Sequence, residues 1–190
     1  MDRHDIARAE EFAARAHAGQ TRKGSNTPYI DHPLRVARML EEHGASPEAI
    51  IAALLHDTAE DTSITQEDIQ REFGEKIASI VAGASEPDKS LPWEERKEGT
   101  IRRLRSVSFE SALVSAADKI DNLRSTVADL ERIGEDVWRR FNRGRDKQEW
   151  YHRECLESLR TNPCGIAEHP LADLLEEEIH RAFGEGRAET

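Results

Sequence analysis

Ala52-Ala53-Leu54-Leu55-His56-Asp57-Thr58-Ala59-Glu60-Asp61-Thr62 is the stretch that decides how the rest of the chain is read. An apolar helix opened by Pro47 and running through Ile50, Ile51, Ala53, Leu54 and Leu55 meets four ionisable groups between positions 56 and 61. Continued as a helix, the segment puts His56 with Glu60, and Asp57 with Asp61, four residues apart on shared faces. Drawing carboxylates into an apolar core costs on the order of several kcal/mol each unless a cation or hydrogen bonds compensate. A divalent cation would compensate. The alternative is a helix that emerges into solvent at His56, its charges forming a wet C-terminal end. Acidic groups at a helix C-terminus oppose the macrodipole, which counts against that alternative.

Two more segments supply matching groups. Pro28-Tyr29-Ile30-Asp31-His32-Pro33-Leu34 puts His32 just before a helix through Leu34, Val36, Ala37 and Leu40 that Gly44 ends. A lone histidine there is more often a cap or surface residue than a ligand. Asp118 lies inside another apolar helix, after Ala112-Leu113-Val114-Ser115-Ala116-Ala117, where propensity and burial both disfavour an unpartnered carboxylate. Its candidate partners are a metal ion or the cations Lys119 and Arg124. His32, His56, Asp57 and Asp118 together make a nitrogen and oxygen donor set without thiolate. Such a set suits manganese, iron or zinc with open positions for water and substrate, and does not suit a closed structural zinc site.

Outward from these segments the periodicity stays helical. Stripes are read at Ile6 to Ala16, Ile69 to Phe73, Ile77 to Ala82, Glu94 to Arg105, Ser111 to Leu130, Lys147 to Leu159 and Pro170 to Phe183, with a short helix from Gly134 through Phe141. Gly19 to Tyr29 and Ser85 to Trp93 read as loops, and Thr65 with Asp68 as a capping box. The expectation is all-α, one domain over residues 1–184 with 185–190 as a frayed tail. With 27 Lys and Arg against 38 Asp and Glu, the net charge of −11 argues against nucleic acid or an anionic membrane as partner. No apolar run approaches the roughly 20 residues of a membrane span. Met1-Asp2-Arg3-His4-Asp5 lacks a leader's apolar core, and Cys155 and Cys164 fit neither a zinc motif nor a disulfide framework. A cytoplasmic location is expected, and the sequence names no oligomeric partner.

The order of these blocks resembles that of the HD superfamily. More narrowly it resembles the hydrolase domain of RelA/SpoT homologues and the free-standing small alarmone hydrolases, the metazoan SpoT-homologue type among them. The resemblance is carried by Arg22-Lys23-Gly24, Thr27-Pro28-Tyr29-Ile30-Asp31-His32-Pro33, Leu54 to Thr62, Asp88-Lys89 with Glu95-Arg96-Lys97, and Ala117 to Arg124. It implies a helical HD domain, a multi-helix bundle around one metal site, that removes the 3′-pyrophosphate from guanosine tetra- or pentaphosphate. It implies one divalent metal, manganese first and iron, zinc or cobalt next, on His32, His56, Asp57 and Asp118. Glu60 and Asp61 match the pair that positions and deprotonates the attacking water. Arg22, Lys23, Tyr29, Lys89, Arg96, Lys97, Asn122 and Arg124 match substrate contacts, and Trp150-Tyr151 falls where the nucleotide pocket closes. Glu86-Pro87, Asp121 and Ser125 depart from the usual pattern, and Asp136 to Lys147 adds a basic stretch.

Other readings stay open at this level: a different nucleotide (an adenosine alarmone, NADPH or a nucleoside monophosphate), or a metal or nucleotide sensor without turnover. Retention of Glu60 and Asp61 argues against a sensor, which needs no water-activating pair. Arg139, Arg140, Arg143 and Arg145 are held in reserve as cleft cations, while Arg102, Arg103 and Arg105 read as a wet helix face. Trp93 and Trp138 read as packing residues, and His4, His17, His43, His152, His169 and His180 as structural or surface.

Overall fold

The computed structural model describes residues 3–22, 26–86 and 90–184. Lys23, Lys89 and the tail 185–190 lie outside the described residues.

A helix apolar on every side must be wrapped by others. Helix α3 (Pro47–Leu55) is such a helix: Ser46 caps it by accepting from the Ala49 N–H at 3.3 Å, and every residue from Ala49 to Leu55 is buried. It packs against α1 (Arg3–Ala16), α2 (Asp31–Glu42), α6 (Glu75–Ala84) and α8 (Phe109–Ile133). Helix α8, 25 residues and about 37 Å long, runs beside it as the longest strut. Gly83 sets how closely α6 meets α8, since a Cβ there would stand 2.8 Å from Ser111 Cβ. Between α3 and α6 lie α4 (Thr58–Asp61) and α5 (Gln66–Phe73), the latter opened by the expected capping box. Thr65 N–H donates to Asp68 at 3.0 Å, and Asp68 N–H donates to Thr65 Oγ1 at 3.2 Å.

The second half closes over the open end of this bundle. Helix α7 (Trp93–Leu104) packs on α9 (Arg145–Arg160), while α10 (Pro170–Phe183) lies against α8 and α9. A 3-10 turn over Gly134–Arg140 links α8 to α9. Among the described residues there is no named strand, only an isolated bridge between Thr21 and Pro28 that pinches the first loop. No described helix is long and apolar enough to cross a membrane.

The structure corrects the sequence reading in two places that bear on the site. Helix α3 stops at Leu55, and the chain turns at His56-Asp57 before restarting as α4. Glu60 and Asp61 therefore sit in a separate one-turn helix, α4, and not on a continuation of α3. His32 lies inside the first turn of α2, second after Asp31, and not ahead of the helix.

Candidate metal centre

Three helices deliver the donors. The start of α2 brings His32, the turn after α3 brings His56 and Asp57, and the middle of α8 brings Asp118. One donor atom each from His32, His56 and Asp118 lies within 4.8 Å of the other two. His32 Nε2 stands 3.2 Å from Asp118 Oδ1 and 3.5 Å from Asp57 Oδ2. His56 Nε2 stands 3.3 Å from Asp57 Oδ1 and 3.7 Å from Asp118 Oδ1. His56 Nδ1–H donates to the Ala53 carbonyl at 2.7 Å, so the lone pair of Nε2 faces the carboxylates. That Nε2 is buried and makes no hydrogen bond in the structure. A buried acceptor without a hydrogen-bond partner, aimed at two carboxylates, is a donor arrangement that fits a divalent cation.

The imidazoles and carboxylates also shift one another's protonation. Burial opposes charge on His56, but Asp57 and Asp118 outweigh it and push the imidazole up to about 10. The same contest, burial against the bonds to Asp118 and Asp121, raises His32. Burial would lift the Asp57 and Asp118 carboxyls, yet the two imidazoles hold both below the ordinary range.

The polar neighbours are tied together. Tyr29 O–H lies 2.7 Å from Asp57 Oδ2 and 2.8 Å from Asp61 Oδ2, so two carboxylates contest one phenolic hydrogen. Burial, then those two carboxylates, drive the Tyr29 phenol far above its usual range and keep it protonated. His17 stacks on Tyr29 at 4.7 Å and bonds Gln20, which donates to the Asp61 carbonyl at 2.8 Å. Arg22 donates to Asn122 at 2.7 Å, and Asn122 donates to Asp118 at 2.6 Å. Glu60 lines the pocket and accepts the Glu86 N–H at 2.6 Å.

Asp57, Glu60, Arg96, Lys97, Lys119 and Tyr151 share a polar pocket of about 270 Å³ with the two histidines. It adjoins a larger cleft of about 660 Å³ whose walls include Trp93, Trp138, Phe141, Phe183 and Leu123. Arg22, Tyr29, Lys97, Asn122, Tyr151 and His152 line both. The second is the size of a small-ligand site.

Several sequence-nominated residues land elsewhere. Arg124 points away and pairs with Glu178 on α10 at 2.9 Å. Trp150 packs on Trp93 at 6.2 Å and lines neither cavity, whereas its neighbour Tyr151 lines both. Trp93 and Trp138 pack as expected but also form the cleft wall. Arg103 is not on a wet face: its Nε and Nη2 are buried, and Glu60 and Glu86 act on its charge. Of the reserve cations only Arg140 lines a cavity, and it is paired with Asp129. Arg139, Arg143 and Arg145 pair with Asp136, Glu94 and Glu149.

Two residues of the site escaped the sequence reading. Asp121 is buried, accepts from His32 Nδ1 at 2.7 Å and takes two bonds from Arg35. The available signal was its spacing of three from Asp118, one helical turn. Glu86 lines the polar pocket and pairs with both Arg96 and Lys97. Burial opposes its ionisation, but Lys97 and Arg96 hold the carboxyl below the usual range.

The HD domain model matches residues 9–147. The chain belongs to the HD domain family. An HD domain implies a divalent metal, and the donors assembled above are suited to one. Among its relatives is the guanosine-3′,5′-bis(diphosphate) 3′-pyrophosphohydrolase MESH1 of Danio rerio, 40% identical over 160 residues, covering 83% of this chain and 85% of that one. The Homo sapiens MESH1 is 39% identical over 136 residues, 70% of this chain and 73% of that one. A solved structure described as a metazoan ortholog of SpoT that hydrolyzes ppGpp superposes with a TM-score of 0.76 at 27% identity, covering 95% and 96% of the two chains. Another, lmo0812 of Listeria monocytogenes, gives 0.74 at 37% identity over 83% of this chain and 97% of that one.

Proposed function

We propose that this HD domain hydrolyses the 3′-pyrophosphate of guanosine tetra- or pentaphosphate in the cytoplasm, giving GDP or GTP and pyrophosphate, with manganese as its metal. The observation that carries this reading is the cluster of buried His32 and His56 with half-buried Asp118 beside an aromatic cleft of nucleotide size. The relatives named as 3′-pyrophosphohydrolases support it.

His32, His56, Asp57 and Asp118 are the proposed ligands. When bound, a divalent cation lowers the pKa of its water and polarises the phosphorus under attack. Glu60, which faces the pocket, accepts the proton from the water, held in aim by the Glu86 N–H. Asp61 acts through Tyr29, fixing the phenol beside Asp57. Arg96, Lys97 and Lys119 line the polar pocket and offset charge on the pyrophosphate group. Arg22, Asn122 and Tyr151 line both cavities and hold the nucleotide between them.

The test is to incubate metal-depleted protein with ppGpp, with and without manganese, and resolve the products by anion exchange. Manganese-dependent formation of GDP and pyrophosphate is expected. Turnover of ppApp or NADPH alone would move the substrate assignment, and binding without turnover of any of the three would favour a sensor.

A further inference from the structure

Helix α8 grips both nitrogens of the same imidazole. Asp118 Oδ1 approaches His32 Nε2 at 3.2 Å, and Asp121 Oδ2, one turn further along, lies 2.7 Å from His32 Nδ1. Helix α2 answers with the same spacing. Arg35, one turn after His32, donates from Nε to Asp121 Oδ1 at 2.6 Å and from Nη2 to Asp121 Oδ2 at 3.0 Å. The four side chains form one chain of contacts between the two helices, Asp118 to His32 to Asp121 to Arg35. Asp121 is the enclosed corner, 3% exposed, whereas the Arg35 side chain is 43% exposed and lines the large cleft.

We propose that Asp121, braced by Arg35, is the positioning residue that turns the Nε2 lone pair of His32 toward the metal. A carboxylate accepts and never donates in its ionised form, so its bond to Nδ1 requires the proton on that nitrogen. Nε2 is then left as the acceptor, in the orientation a ligand needs. His56 reaches the same state through a backbone carbonyl of the helix it follows, Ala53 of α3, at 2.7 Å. His32, second residue of α2, has a side-chain carboxylate from α8 in that place. The Arg35 fork keeps the Asp121 carboxylate in one orientation by binding both its oxygens. The proposal rests on His32 being a metal ligand.

A plain ion pair stitching α2 to α8 would change stability and leave metal affinity alone, so the test reads affinity. Free Mn²⁺ is titrated by electron paramagnetic resonance into wild type, Asp121→Asn, Asp121→Ala, Arg35→Met and the Asp121→Asn, Arg35→Met double variant, with circular dichroism to confirm the helices. Loss of a metal ligand's carboxylate partner weakens binding by about 10–100-fold, the effect expected for Asp121→Asn. Arg35→Met should weaken it less, and the double variant should match Asp121→Asn, because Arg35 acts through Asp121. Turnover of Asp121→Asn should recover as Mn²⁺ is raised. A folded Asp121→Asn that binds Mn²⁺ within twofold of wild type overturns the proposal while leaving the metal site standing. A double variant clearly weaker than Asp121→Asn overturns the bracing role of Arg35. A wild-type chain that takes up no Mn²⁺ removes the metal reading and this proposal with it. Should Asp121→Asn fail to fold, Arg35→Met decides on the same readout, unchanged affinity being the negative result.

Discussion

The polar pocket and the aromatic cleft share six lining residues yet are built on different rules. In the pocket, donors and acceptors are interlocked: Arg22 holds Asn122, Asn122 holds Asp118, Tyr29 spans Asp57 and Asp61, and the loop N–H of Glu86 holds Glu60. The cleft is walled by rings that touch one another, Trp138 on Phe183 at 5.2 Å and on Phe141 at 5.8 Å, with Trp93 beside them. Fixed polar geometry suits a reaction, where misplacement of an ångström is costly. Apolar walls suit the recognition of a ring system, where area matters more than direction. Under the proposed function, the chemistry belongs to the pocket and most of the substrate binding to the cleft.

Substitutions should separate the two. The largest effect is expected from Asp118→Ala, which removes a proposed ligand and the acceptor for Asn122. Losing metal assistance costs several kcal/mol of barrier, about 10³-fold or more in kcat. Steady-state assays with added manganese should show no recovery; near-normal turnover would place the chemistry elsewhere. Glu60→Gln should lower kcat by about 10²–10⁴-fold with Mn²⁺ affinity retained, the loss typical of a general base. Asp61→Asn should cost less, because Asp61 works through Tyr29. Were Asp61→Asn the more damaging, the two roles would have to be exchanged.

On the cleft side, Trp93→Ala should raise KM about tenfold and change kcat little, the size of one lost aromatic contact. A fall in kcat at constant KM would mean that the two regions are not separable. Glu86→Gln gives the smallest effect and sharpens the boundary between them. Its carboxylate occupies Arg96 and Lys97, the cations an anionic substrate needs, while its backbone N–H to Glu60 survives the change. KM should fall by a few-fold, more at low salt than at high salt. A rise in KM would show that Glu86 instead holds the two cations in place for the substrate.

The helices were legible because apolar periodicity and capping residues fix them locally. The Pro47 start, the Thr65–Asp68 box and the Gly44 stop all appear in the structure, with Gly44 at a φ of 71°. The proposed ligands stood out for a thermodynamic reason, since His56, Asp57 and Asp118 interrupt runs that are otherwise buried. The turn at His56-Asp57 was not legible, because no glycine or proline marks it. Arg124 matched a motif but lines neither cavity in the structure: six residues from Asp118 is about 240° around the axis, on a different face. Trp150 and Tyr151 are likewise about 100° apart, so one faces the cleft and the other does not. Asp121 and Glu86 looked like departures from a pattern, and their partners Arg35, Arg96 and Lys97 become visible only when distant helices are brought together.

Two imidazoles and neighbouring carboxylates are proposed to hold one divalent cation beside the cleft. Manganese K-edge X-ray absorption on the loaded protein tests it most directly. One bound Mn²⁺ is expected, with two imidazole scatterers and oxygen donors completing the shell, the imidazole signal halved in His56→Ala. A bound ion with no imidazole in its shell, or a spectrum unchanged in His56→Ala, would contradict it.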